Sequence, residues 1–171
     1  MTALNLQKTV WLLCLVANAQ EVVAPKTISV CEVLQNPTKF NHAIIAVRGI
    51  YTAWEHGLAL SGEGCDGILV SQGFKWPSMI SIVRWQKEIE SRGRSIAASQ
   101  KVDEELGAAI RRAVQAKGIG ARTRRVRLTY VGLFETHDDL DARPGDGFGA
   151  LNAAPGQLFV DAVKDIEVEF E

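Results

Sequence analysis

The sequence predicts a mainly β domain of α+β type, and three observations predict it. Residues 43–51 and 124–136 are long β-branched, apolar stretches with the composition of strands. Val126, Leu128 and Tyr130 alternate with Arg125, Arg127 and Thr129, the period of a strand with one face inward. Between these stretches lies one amphipathic helix, 101–117, whose Val102, Leu106, Ala109, Ile110, Ala113 and Val114 recur at three- and four-residue steps.

The first elements follow a leader. Lys8 and the amino terminus precede an apolar run from Val10 to Val16, and Ala17-Asn18-Ala19 follows as a small-x-small cleavage site. That order reads as a signal peptide over 1–19, with a single domain over 20–171. The apolar run is shorter than the roughly 20 residues a spanning helix needs, so no transmembrane segment is expected after cleavage. Export to the periplasm or medium is the implied destination. Cys14 is preceded by Leu13 rather than a small residue, which argues against lipidation. Cleavage leaves two cysteines, Cys31 and Cys65, and an oxidising compartment favours a disulfide between them.

Thr27 or Ser29 is placed to cap a short helix through Val30–Leu34, which Asn36-Pro37 stops. Ala43–Tyr51 is the first long strand, with Gly49 as a bend. Leu58–Ser61 returns as the second, and Ile68–Val70 reads as a short third after a glycine-rich turn. Residues 71–99 carry no decisive periodicity: Met79–Val83 fits either a strand or the start of a helix running to Glu90. The helix over 101–117 has Ser99 as candidate cap and Gly118 after its end. Arg124–Thr136 is the second long strand, 137–156 a loop rich in Asp, Gly and Pro, and 158–170 the last strand.

Strand, strand, strand, helix, strand, strand, preceded by a short helix, is the element order of a five-stranded OB-like Greek-key barrel with a helix between strands 3 and 4. An open α+β sheet with the helix on one face is the alternative. Two segments add a resemblance. Asn36-Pro37 leading into Ala43–Gly49, and Gly147-Phe148-Gly149-Ala150 followed by Pro155-Gly156-Gln157-Leu158-Phe159-Val160, resemble small exported bacterial proteins with OB-like folds and uncharacterised function. In that group a histidine is expected where Ala150 stands. The resemblance implies an OB-like barrel and carries no activity with it.

No residue pattern specifies a reaction or a cofactor. Gly-x-Ser-x-Gly is missing, and Lys117-Gly118-Ile119-Gly120 follows a helix and lacks the ending of a phosphate loop. The leading expectation is a non-catalytic binding or accessory module. Its ligand would be a protein, a glycan or a small molecule, held on a barrel face bearing Arg48, Tyr51, Trp54, Arg127 and Tyr130. Two alternatives stay open. One is a metal-dependent hydrolase using His137, Asp138, Asp139 and Asp141, whose oxygens suit a hard cation but lack EF-hand spacing. The other is single-strand nucleic-acid binding by the same barrel face, which the net charge of −1 disfavours. Charge is unevenly placed, basic from Arg84 to Arg127 and acidic from Glu135 to Glu171, so the two segments are expected to face each other or water.

Overall fold

A computed structural model describes residues 24–55, 57–83, 86–118, 120–138 and 145–171. The leader over 1–19 lies outside them. The chain is mainly β, with a mixed six-stranded sheet bent into a near-ring.

The N-terminal elements are short and firmly capped. β1 (Thr27–Ser29) runs directly into α1 (Val30–Gln35). Ser29 and Glu32 form a reciprocal capping box: the Glu32 amide donates to Ser29 Oγ at 3.1 Å, and the Ser29 amide donates to Glu32 Oε2 at 2.7 Å. Two amides that the helix cannot satisfy internally are thereby paired. Val30, Val33 and Leu34 bury the inner face of α1, and a 3-10 turn (Pro37–Phe40) leads on to the main sheet.

β2 (Ile44–Trp54) has three partners: β1 lies parallel to it at Ala46–Arg48, and two antiparallel strands divide its length. Ile44–Ile50 pairs antiparallel with β7 (Thr123–Thr136), and Ile50–Trp54 pairs antiparallel with β3 (Gly57–Ser61). The predicted third strand is corrected here. Of Ile68–Val70, only Val70 is in a strand. It belongs to β4 (Val70–Ser71), which pairs with β5 (Phe74–Lys75) as a small separate hairpin. The strand that continues the main sheet is β6 (Met79–Ile82), antiparallel to β3 and parallel to β8 (Gly156–Phe170). β8 returns antiparallel to β7, so the pairing runs β2, β3, β6, β8, β7 and back to β2.

α2 (Gln86–Ser91) and α3 (Ile96–Lys117) lie between β6 and β7. α3 starts five residues earlier than 101. Its cap is Ser95, whose Oγ accepts from the Ala98 amide at 3.3 Å, because Ile96 joins a small apolar cluster with Val83, Ile89 and Phe159. Val102 and Leu106 are buried and Ile110 packs beside them, four residues apart on one face, while α3 lies along β8. One main core joins α1, the sheet interior and α3, with Tyr130, Phe134, Leu60, Ile80, Leu128 and Leu158 wholly enclosed. Among the described residues, no helix is long and apolar enough to cross a membrane.

Candidate functional site

Strand parity decides what the predicted barrel face can present. In β7 the even-numbered residues Val126, Leu128, Tyr130 and Phe134 are buried. Tyr130 lies opposite Val47 and is 0% exposed. It is therefore a core residue and cannot stack on a ligand, a correction that follows from its three-residue offset from Arg127. Tyr51, on the inward parity of β2, is partly buried against the main core and lines a pocket with Leu106 and Ile110 of α3. Arg48 and Arg127 point outward, and Trp54 shares the outward parity of Arg48 and is half-buried. The five residues expected on one face are thus divided between interior and exterior.

The structure does bring Arg48 and Arg127 together. They line a pocket of about 230 Å³ with Ser29, Gly49, Ser61 and Glu63. Both guanidinium groups are already engaged. Arg48 pairs with Glu167 at 2.7 Å and donates to the Asp165 carbonyl at 3.2 Å. Arg127 pairs with Glu63 at 2.7 Å and also meets Glu169, and Arg125 reaches the same Glu63. The Arg127 hydrogen bond, with both arginine charges beside it, holds the Glu63 carboxyl below the ordinary value of 4.5. A phosphate backbone would have to displace these internal acids, so the face is poorly prepared for a polyanion.

The predicted metal loop is only partly within the described residues; Asp139 and Asp141 lie outside them. His137 and Asp138 use different partners. His137 Nε2 is 2.5 Å from the Asp146 carbonyl oxygen, and its ring tilts over Phe148 with centroids 4.7 Å apart. Asp138 accepts from the Asn41 side chain at 2.7 Å. Among the described residues, no three His, Cys, Asp or Glu side chains gather where a cation could sit. Cys31 and Cys65 do lie at disulfide distance, with Cα atoms 5.7 Å apart.

A different place has the form of a ligand site. A cleft of about 340 Å³ opens between α2, the 147–152 segment and the start of β8. Ser91 and Arg92 come from α2 and its end, Phe148 and Asn152 from the segment, and Gln157 and Phe159 from β8. Next to it, at the end of β7, lies Glu135, a carboxylate only 4% exposed. Arg92 holds it through Nε at 2.8 Å and a second nitrogen at 3.3 Å; Gln157 Nε2 donates to it at 3.1 Å, and His42 Nδ1 is 4.0 Å away. A buried charge survives only when paired in this manner.

The segment opposite α2 includes strained backbone at Leu151 and Asn152, of which Asn152 lines the cleft. Gly145, Gly149, Leu151 and Asn152 all have positive φ, and for Leu151 and Asn152 the values are +60° and +50°. Backbone held in that region costs on the order of 1–3 kcal/mol per non-glycine residue and clusters at functional sites. The segment is held by Asn152 Nδ2 donating to the Gly145 carbonyl at 2.8 Å and by paired backbone bonds between Phe148 and Ala154. At Gly149 a Cβ would overlap the Ser81 hydroxyl, so the segment lies directly on β6.

Sequence reasoning missed this cleft. Arg92 lies in the stretch without periodicity, and Phe148 and Gln157 were marked only by resemblance. No protein-family model matches this chain, and no match was found among curated proteins or solved structures.

Proposed function

We propose that this chain is an exported, non-catalytic binding or accessory module, periplasmic or secreted, that takes its ligand in the cleft between α2, the 147–152 segment and β8. The observation that carries the reading is the cleft itself: a strained wall and a buried Glu135–Arg92 pair set beside one open cavity. Concave sites lined by aromatic groups and a few placed polar groups are where proteins hold small ligands. The carboxylate beside the cleft is spent on Arg92 and Gln157, which suits a structural acid better than a proton carrier.

An OB-like barrel is the fold we infer beneath it. The ring order β2, β3, β6, β8, β7, with β6 and β8 parallel and a helix before the fourth strand, supports that reading. Export is supported by the leader-like N-terminus and by the Cys31–Cys65 pair.

Two experiments test this. A fragment screen read by amide chemical shifts should give hits that cluster on Ser91, Arg92, Phe148, Asn152 and Gln157; hits gathered instead around Arg48 and Arg127 would refute the cleft. Intact-mass measurement on protein expressed with its leader should show a cut after Ala19 and the loss of two hydrogens. An uncut chain with free thiols would refute export.

A further inference from the structure

We propose that the cleft receives an organic cation, an alkylammonium or guanidinium group, rather than an anion or a neutral sugar. The inference deepens the cleft reading above and rests on it.

The hydrogen bonds inside the wall fix which atoms remain for a ligand. Gln157 Nε2 faces the Glu135 carboxylate at 3.1 Å. Only the N–H end of an amide can face a carboxylate, so one Gln157 N–H is spent there and the carbonyl oxygen stays an acceptor. The same logic holds for Asn152. One N–H of its Nδ2 goes to the Gly145 carbonyl at 2.8 Å, and Oδ1 stays an acceptor. The Ser91 hydroxyl donates to the Glu88 carbonyl at 2.8 Å, so its proton is used and its lone pairs remain. Three polar side chains of the wall therefore present acceptors.

Charge points the same way. Arg92 is the one cation among the described residues that line the cleft, and Glu135 grips its guanidinium through two nitrogens. The exposed carboxylate of Glu88, on α2, stands on the rim without being needed to neutralise Arg92. Among these described residues, Glu88 and Glu135 against Arg92 leave one negative charge in excess. An entering anion would meet carbonyl oxygens, a carboxylate and an arginine whose charge Glu135 already balances. An entering ammonium would meet acceptors and the Phe148 ring that helps to line the cleft. The volume of about 340 Å³ is at the small end for ligand pockets, enough for one side-chain-sized cation and too little for an extended oligosaccharide.

The test uses the purified mature chain and three probes at matched ionic strength: n-butylammonium chloride, sodium butyrate and glucose. Butylammonium should shift the amides of Ser91, Arg92, Phe148, Asn152 and Gln157 in a saturable way, and ethylguanidinium should compete with it. Glu88→Gln should weaken binding about tenfold, the scale of one charge-assisted hydrogen bond, and Glu88→Lys should abolish it. Glu88 is exposed, so both variants should keep the wild-type spectrum elsewhere. Butyrate or glucose shifting these amides while butylammonium does not would overturn the cation and leave the cleft standing as a ligand site. Butylammonium shifting amides only elsewhere, or none, would also overturn it. So would binding that Glu88→Lys leaves unchanged.

Discussion

Reducing the Cys31–Cys65 bridge should cost about 3.8 kcal/mol of stability while leaving the fold in place. The two cysteines are 34 residues apart in sequence. For a closed loop of that size, chain entropy gives about 12–13 cal/mol/K, which is about 3.8 kcal/mol at 25 °C. The penalty falls on the unfolded chain, because native contacts hold both ends without the bond. α1 stays anchored through Val30, Val33 and Leu34, each essentially buried. The other end is held by the Gly62 amide, which donates to the Ser78 carbonyl at 2.7 Å, and by Cys65 itself, only 6% exposed. In a domain of this size the loss corresponds to a drop in Tm of roughly 8–15 °C. Urea unfolding followed by tryptophan fluorescence, with and without a phosphine reductant, reads the difference. The reduced chain should also show a larger m value, because its unfolded state is less compact. Equal midpoints for the two forms, with mass confirming reduction, would refute the reasoning. So would loss of the native spectrum on reduction, which would mean that α1 depends on the bond rather than on its packing.

Three further outcomes follow from single side chains. Gly132→Ala should destabilise by about 1–3 kcal/mol in chemical denaturation, since a Cβ there would overlap the Phe159 carbonyl and reach Val160 Cα at 3.0 Å, both backbone. Thr129→Val should raise stability by about 1 kcal/mol, because Thr129 is 0% exposed and its hydroxyl has no hydrogen-bond partner among the described residues; a lower Tm would show that the hydroxyl is paired. Glu63 has its carboxyl held below 4.5 chiefly by Arg127, so its contribution is present above that pH and is lost as pH falls through the lower folded value. Glu63→Gln should therefore flatten the acid limb of a stability–pH profile measured from pH 6 to pH 2, and an unchanged limb would count against the pairing.

What could be read from the sequence was whatever local chemistry decides. Ser29 and Glu32 stand three residues apart ahead of an apolar run, and they form the capping box. The alternation of Val126, Leu128 and Tyr130 gives the inward face of β7, and the four-residue steps of Val102, Leu106 and Ile110 give that of α3. Other choices had local equals. Ile68–Val70 and Met79–Ile82 are both short apolar runs between turn residues, and only pairing decides between them: Ser81 lies opposite both Ala59 and Gln157, which joins β3 to β8. Ser95 and Ser99 are equally good caps, and the packing of Ile96 selects the first. The cleft was the least legible feature. Its residues come from α2, a strained segment and the end of a strand, and none has a periodic signal that would link it to the others.

Two glycines mark the irregular points of the long strands, one where β2 changes partner and one where β7 shifts register. β2 passes from β7 to β3 at Ile50, and Gly49 immediately precedes that point. A Cβ at Gly49 would sit 2.7 Å from Leu60 Cγ and 2.9 Å from Val30 Cγ2, so β3 and α1 close over the strand only where it has no side chain. Gly132 does the same for β7 at its register shift against β8, where the Phe159 backbone comes within contact of the empty Cβ position. Beyond that shift, Phe134 pairs with Leu158 and Glu135 with Gln157. The bend at Gly132 therefore sets the register that brings Gln157 to the buried carboxylate. Sheet curvature and the wall of the cleft then have a common origin, and a substitution that relaxed the first would displace the second.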